Sequence, residues 1–461
     1  MIQTWNLLQT GQKENYKVAY TNARIIDPET KLDIKGSLLT EGNKIVDFGE
    51  SLFSDGAPSE VDETIECEGL VLMPGLVDIH VHFREPGQEH KETIYTGSKS
   101  AAAGGVTTVV CQPNTTPAID SVILAKYLKY RALETSHVNI EFYAKITTSE
   151  EKLTEMALLK EAGAVGFTDD GMPVMNPMVM RQALLYSSML NVPIAQHAED
   201  LNLSAGGAIN EGKISEELGV KGILSASESV MVSRDILLMK DIENVHYHIL
   251  HVSSKDSLDA IKRAKDLGLN VTCEVTPHHF TLTEDIVKQH GAIAKMNPPL
   301  RTEEDRLAMV EGLKIGVVDC IATDHAPHDR SSKDLPLENA AFGIVGLETM
   351  LPISLELYHS GQMSLFDVLA KLTYKPADIT HIPRGRIQKN LAADLILVDL
   401  NHEWEIKIDN FASKSKNSPF DGRKVKGQVI RTIVSGKTVY LYQFPLRGKQ
   451  IDNKGREAIM K

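Results

Sequence analysis

From residue 76 to residue 325 the chain alternates between two apolar patterns. Eight short runs rich in β-branched residues occupy 76–82, 107–114, 139–146, 164–170, 192–199, 245–253, 270–279 and 318–325. Longer stretches lie between them, with apolar residues recurring three and four apart. Val232, Ile236 and Met239 share one such face, and Leu307, Val310 and Leu313 another. This spacing suits helices with one buried stripe, and the short runs suit strands covered on both faces. Ser225-Ala226-Ser227-Glu228 has the spacing of a capping box, and Thr302 and Asp305 mark a similar helix start. Eight strand–helix alternations predict a (β/α)8 TIM barrel. A doubly wound open sheet is disfavoured, because no Gly-rich phosphate loop follows the first strand.

The chain ends follow a different rule. A β-rich run from Val18 to Ile26 meets the turn Asp27-Pro28-Glu29-Thr30. Leu38-Leu39 leads through Glu41-Gly42-Asn43 to Ile45-Val46-Asp47-Phe48. Near the other end, Asp394 to Asp399 reads as a buried strand, and Ser435-Gly436 separates two more runs as a hairpin turn would. Both ends are therefore expected to build one small β-sandwich domain, from 1–74 and 386–461, beside a barrel spanning 75–385. The extension through about Tyr16 and the tail after Tyr442, with Lys449, Lys454, Arg456 and Lys461, carry no assignable role.

Composition narrows the class. Hydrophobic residues at 42% and charged residues at 24% are those of an ordinary globular protein. The net charge of −13 argues against nucleic acid or an anionic membrane as partner, though one local arginine could still hold a small anion. Cys67, Cys111, Cys273 and Cys320 are far apart and form no CxxC pair, so they read as reduced, buried thiols of a cytoplasmic protein. The chain start lacks a basic segment followed by an apolar one, and no apolar run is long enough to span a membrane.

The ends of the eight runs carry the chemistry. Seven finish in reactive polar residues: His80 and His82, Asn114, Asp169 and Asp170, His197 and Glu199, His251, His278 and His279, and Asp324 with His325. The third ends more blandly, at Lys145 and Thr147. In a TIM barrel the strand ends converge on the active site. His80 and His82 are two apart, so both imidazoles face the same way, as two ligands of one ion would. Four histidines with carboxylates suit a borderline divalent metal such as zinc. There are ligands enough for two ions, and a carboxylate from the fourth strand is placed to bridge them. His246 and His248 have the opposite parity to His251 and are expected to face the helix layer. His278 and His279 are read as partners that orient ligands rather than as ligands.

The stretch Val77-Asp78-Ile79-His80-Val81-His82-Phe83-Arg84-Glu85-Pro86-Gly87 resembles the signature of the amidohydrolase superfamily, in its dihydroorotase branch. So do Pro113-Asn114-Thr115, Phe167-Thr168-Asp169-Asp170-Gly171 and Met296-Asn297-Pro298-Pro299-Leu300-Arg301. Ala322-Thr323-Asp324-His325-Ala326-Pro327-His328 and Phe342-Gly343-Ile344-Val345-Gly346-Leu347-Glu348 complete the set, which is similar to the class I, bacterial-type enzymes. The resemblance implies that His80, His82 and Asp324 bind one zinc, that His197 and His251 bind a second, and that Asp170 bridges them. Parity alone leaves open whether Asp169 or Asp170 bridges. Many relatives place a carbamylated lysine there, but residues 164–176 contain none, and Lys160 lies upstream in a helix.

The implied reaction is the reversible cyclisation of N-carbamoyl-L-aspartate to (S)-dihydroorotate, in pyrimidine (UMP) biosynthesis. A metal-bridging hydroxide would be the nucleophile and Asp324 the general acid and base. Arg84 would grip the substrate carboxylate, together with His82, Asn114 and His328. Asn297 and the backbone of Phe342 and Gly343 would contact the ring amide. Against these stand plainer readings: a surface ion pair of Arg84 with Glu85 or Glu92, a turn role for Asn114 beside Pro113, and a solvated His328. Residues 328–341 are expected to form a mobile lid. The resemblance also implies a homodimer or tetramer and possible association with aspartate carbamoyltransferase. A hydantoinase or allantoinase would share the fold, but its substrate lacks the carboxylate for Arg84. A catalytically silent scaffold would have no physical need of six metal ligands on separate strands.

Overall fold

The computed structural model describes residues 15–54 and 56–442, with two strand pieces at Gln450–Ile451 and Glu457–Ala458. The first 14 residues and Lys449, Lys454, Arg456 and Lys461 lie outside the described residues. Five strands open the fold: β1 (Lys17–Asp27), β2 (Leu32–Glu41), β3 (Lys44–Gly49), β4 (Glu63–Glu66) and β5 (Val71–Pro74). The Asp27 carboxylate closes the turn after β1 by accepting from the Thr30 amide at 3.1 Å and its hydroxyl at 2.6 Å.

The barrel strands are β6 (Leu76–Val81), β7 (Val106–Cys111), β8 (Asn139–Ala144), β9 (Gly166–Phe167) and β10 (Ile194–Gln196). A separate parallel pair follows, β11 (Ile209–Asn210) with β12 (Gly222–Ile223). The barrel then resumes with β13 (Tyr247–Ile249), β14 (Val271–Val275) and β15 (Cys320–Ile321). These eight barrel strands pair in parallel in sequence order. Val81 bridges in parallel to His325, and the His82 amide donates to the His325 carbonyl at 2.9 Å. The last strand thus meets the first, and the expected (β/α)8 barrel nearly closes.

The two helices marked by their apolar spacing bury one face each. Val232 and Met239 are buried in the helix Ala226–Met239, as their spacing requires. Val310 and Leu313 are buried in Glu303–Ile315, but Leu307 is 52% exposed and lies off the stripe. Thr302 and Asp305 form the expected capping box. Ser225 and Glu228 do not. Glu228 is buried and reaches across to the loop after β13, accepting from the amides of Ser253 at 3.2 Å and Ser254 at 3.1 Å. A buried carboxylate needs several donors, and that requirement overrides the local cap.

The chain returns to the first sheet with β16 (Leu395–Glu405), β17 (Lys424–Val434) and β18 (Lys437–Leu441). Ser435 (φ 48°) and Gly436 (φ 75°) are both left-handed, as the two-residue turn between β17 and β18 requires. The order is β18-β17-β16-β5-β1-β2-β3, with β4 also on β1. Val18, Tyr20, Ile25, Leu38, Ile45, Leu395 and Ile433 form a core of this sheet's own residues, so one face closes on itself. Met73, Ile396, Val398 and Val429 belong to the barrel's core cluster and fix the sheet to it. All four cysteines are free and buried.

Candidate metal centre and substrate pocket

The barrel strands stop short of their polar residues. Only His80 lies inside a strand; His82, Asp170, His197, His251 and Asp324 sit on the segments just beyond. Three backbones there turn left-handed without glycine: Arg84 (φ 25°), His251 (φ 32°) and Asp324 (φ 49°). Such conformations persist only where surrounding bonds over-determine them. One set of bonds is visible at Asp78, buried on β6, whose Oδ1 accepts from the amides of His80 and Thr323, each at 3.1 Å. It thereby couples the first strand to the residue before Asp324.

Asp170 is the hub. Its Oδ2 lies 3.4 Å from His80 Nε2 and 3.3 Å from His82 Nε2. Its Oδ1 lies 3.5 Å from both His197 Nδ1 and His251 Nε2. Asp324 Oδ1 sits 3.0 Å from His82 Nε2 and 3.5 Å from His80 Nε2. The six groups are buried, and the two Asp170 oxygens face different imidazole pairs, His80 with His82 and His197 with His251. Asp169 points elsewhere: Oδ1 accepts from the amides of Ile146 at 2.8 Å and Thr147 at 3.0 Å and pairs with Lys145 at 3.1 Å.

The donor set fits divalent ions. Ligands about 2.0–2.1 Å from a tetrahedral zinc lie about 3.3 Å apart, and the separations here are 2.9–3.5 Å, the shortest between His197 Nδ1 and His251 Nε2. His80 Nε2 and Asp170 Oδ1 are buried without a hydrogen-bond partner, though both point into the cluster. The electrostatics agree. Burial opposes a charge on His80, but Glu274 and Asp170 outweigh it and hold its imidazolium well above the usual range. Burial likewise opposes a charge on His197, but Asp170 and Glu199 push its pKa up to about 10. Asp170 and Asp324 stay ionised despite burial, chiefly because of His80. The cavity is built to hold positive charge.

Neighbouring groups fix which imidazole nitrogen faces the centre. Asn114 Oδ1 takes His82 Nδ1–H at 2.9 Å. Glu199 Oε2 takes His197 Nε2–H at 2.9 Å, and Asn297 Nδ2 donates to the same oxygen at 2.9 Å. His279 contributes no ligand atom: Nδ1 pairs with Thr276 Oγ1 at 2.8 Å and Nε2 with the Pro298 carbonyl at 3.0 Å. The expectation for His246 and His248 fails. His248 is wholly buried and bonds Glu274 Oε2 at 3.2 Å, while the Tyr247 hydroxyl reaches out to helix residue Asp235 at 3.0 Å. The left-handed backbone at His251 breaks the alternation, so His248 and His251 both point inward despite opposite parity.

Arg84 is part-buried at the mouth. Its Nε donates to the Pro327 carbonyl at 3.3 Å, and Nη2 lies 3.4 Å from His328 Nε2. Glu85 pairs instead with Arg131 at 2.9 Å, and Glu92 hydrogen-bonds Ser413, so neither forms an ion pair with Arg84. Burial lowers the Arg84 pKa to about 10, leaving it charged at neutral pH. Burial, then the charges of Arg84, Lys91 and Lys333, lower His328 to about 2, so its imidazole is neutral. His328 Nε2 donates to the Phe342 carbonyl at 2.7 Å. Gly343 donates its amide to the Lys295 carbonyl at 2.9 Å, and its own carbonyl accepts from Lys333 Nζ and Asn417 Nδ2, each at 3.0 Å.

The expected lid is anchored. Lys333 is 3% exposed, and its ammonium also bonds the carbonyls of Ala341 at 2.8 Å and Lys295 at 3.1 Å. Lys295 reaches the Leu337 carbonyl at 2.6 Å and lies 4.2 Å from the Phe342 ring centre. Sequence reasoning singles out neither lysine, and no local signal reveals their burial. Among the described residues, no helix is long and apolar enough to cross a membrane.

The Dihydro-orotase-like family matches residues 69–257. The chain is 93% identical over 440 residues to the dihydroorotase of Wolbachia sp. subsp. Drosophila simulans (strain wRi), covering 95% of this chain and 99% of that one. The chain belongs to the dihydroorotase family. It is therefore an enzyme, of the hydrolase type that closes and opens cyclic amides. The Ehrlichia chaffeensis dihydroorotase is 72% identical over 438 residues, 95% of this chain and 98% of its own. The L-hydantoinase (dihydropyrimidinase) from Arthrobacter aurescens superposes with a TM-score of 0.84 and 26% identity, covering 94% of this chain and 97% of that chain. The dihydroorotase family thus shares its barrel architecture with a hydantoinase.

Proposed function

We propose that this chain interconverts N-carbamoyl-L-aspartate and (S)-dihydroorotate in pyrimidine biosynthesis, with two zinc ions per subunit and in the manner of the class I enzymes. His80, His82 and Asp324 would hold one ion, His197 and His251 the other, and Asp170 would serve both. The observation that carries this reading is the pairing of a split carboxylate hub with the Arg84 guanidinium, which is joined to no carboxylate among the described residues. A hub that serves two imidazole pairs suits two cations, and a part-buried arginine with donors to spare suits an anionic substrate.

Bound zinc would acidify water and polarise the ring carbonyl. The chain's own residues do the rest. Arg84, with Asn114 and the neutral His328 beside it, orients the substrate through its free carboxylate. Asn297 lies beside His197, towards the ring amide. Asp324, kept ionised by His80 and His82, accepts the proton of the attacking water and returns it to the amide nitrogen as the ring opens. In the other direction the same carboxylate deprotonates the carbamoyl nitrogen as the ring closes.

The division into 1–74 with 386–461 and a barrel of 75–385, a cytoplasmic location, homo-oligomerisation and association with aspartate carbamoyltransferase belong to the same reading. The test is turnover by metal-analysed protein of dihydroorotate and carbamoyl aspartate beside hydantoin and allantoin. Turnover of the first pair alone, with about two zinc per chain, is expected. Turnover of hydantoin or allantoin alone would move the protein to the cyclic-amide relatives.

A further inference from the structure

Glu274 on β14 is fully buried beneath the centre and lies outside the six-residue set. Its Oε1 is 2.5 Å from His80 Nδ1 and 3.3 Å from the His251 backbone nitrogen. Its Oε2 is 3.2 Å from His248 Nε2. His248 Nδ1 is 2.9 Å from Thr272 Oγ1, and the same hydroxyl is 2.7 Å from His246 Nε2. A chain of polar groups thus runs from a ligand of the centre down through the barrel interior.

The direction of the upper bonds is determined. The His251 amide can only donate. A carboxylate that accepts from it, and has two imidazoles as its other neighbours, serves as acceptor throughout. His80 must therefore present Nδ1–H to Glu274, which leaves Nε2 unprotonated in the neutral ring. That nitrogen faces Asp170 and Asp324 and has no hydrogen-bond partner. His248 holds the other carboxylate oxygen, so Glu274 cannot swing away. Cys320 lies close enough to Glu274 and His248 for the three to suggest a metal site of their own. Both carboxylate oxygens already take N–H donors, however, and a cation there would have to displace them.

We infer that Glu274, backed by His248, is the positioning residue of the metal centre: it sets the His80 tautomer and, through the His251 backbone, ties the two halves of the site together. The inference rests on the proposed metal-site reading. Its action is on metal affinity, because a ligand free to rotate or to take the wrong tautomer must be ordered before it binds.

The test is zinc titration of the metal-stripped protein against a chromophoric chelator, comparing wild type with Glu274→Gln, Glu274→Asp and His248→Gln. Two zinc steps are expected for the wild type. In Glu274→Gln one step should weaken about 10–100-fold. Glu274→Asp should recover part of that loss, because a carboxylate is restored, whereas a merely space-filling role would favour the isosteric Gln. His248→Gln leaves the carboxylate in place and should weaken the same step by less; it also serves if Glu274→Gln fails to fold. Two wild-type steps that remain unchanged in the folded variants overturn the inference alone. A wild type that takes up no zinc overturns the metal-site reading, and this inference with it.

Discussion

Asp169 and Asp170 are adjacent and chemically identical, yet one bonds the amides after β8 and the other faces four imidazoles. Only Asp170 therefore bears on metal binding. Asp170→Ala should abolish uptake of the second zinc, and two tightly held ions in that variant would refute the hub. Arg84→Lys should raise KM for dihydroorotate by about tenfold or more, with a smaller effect on kcat, because a point charge replaces a two-pronged donor. Steady-state kinetics decide this, and unchanged kinetics would remove Arg84 from the carboxylate pocket. At this scale the sequence was partly legible. The period of two places His80 and His82 together, and the structure agrees. The same rule misassigns His248, because a left-handed residue three positions later is invisible to parity. The orienting bonds of Asn114 and Glu274 join residues from different strands, so no local pattern announces them, whereas Glu199 lies only two residues from His197.

At the scale of elements, the barrel strands are shorter than the apolar runs that predict them. The last residues of each run leave the ladder to carry side chains into the centre, as Asp324 does beyond β15. The eight-fold alternation was legible because buried parallel strands and one-faced helices have different periods. The capping-box reading at Ser225 was not sound, because Glu228 has a tertiary partner stronger than any cap. Glu228 accepts from Ser253 and Ser254 and faces the buried Arg301, whose Nε donates to Ser253 Oγ at 3.2 Å. Glu228→Ala should destabilise the fold by about 1–3 kcal/mol, since it leaves the buried Ser253 and Ser254 donors without an acceptor. Urea unfolding measures this, and a loss within about 0.5 kcal/mol would show an ordinary surface site instead.

For the whole molecule, the positive charge stored at the centre links metal, pH and stability. The folded pKa of His197 is about 10, above the unfolded value of 6.5. Without metal, its contribution to stability is complete below pH 6.5 and is lost as pH rises towards 10. The zinc-stripped protein should therefore melt at lower temperature at pH 9.5 than at pH 7. Zinc must displace ligand protons, so its apparent affinity should rise over the same window, about tenfold per pH unit for each proton released. Calorimetry and chelator competition read the two trends, and a stripped protein that gains stability with pH would contradict them. The pocket is proposed to recognise a cyclic amide by its carboxylate. The most direct measurement is kcat/KM for dihydroorotate against dihydrouracil, the same ring without that group. A pocket that leaves Arg84 unpaired with the smaller ring should prefer dihydroorotate by about 10⁴-fold. Equal or faster turnover of dihydrouracil would contradict the claim.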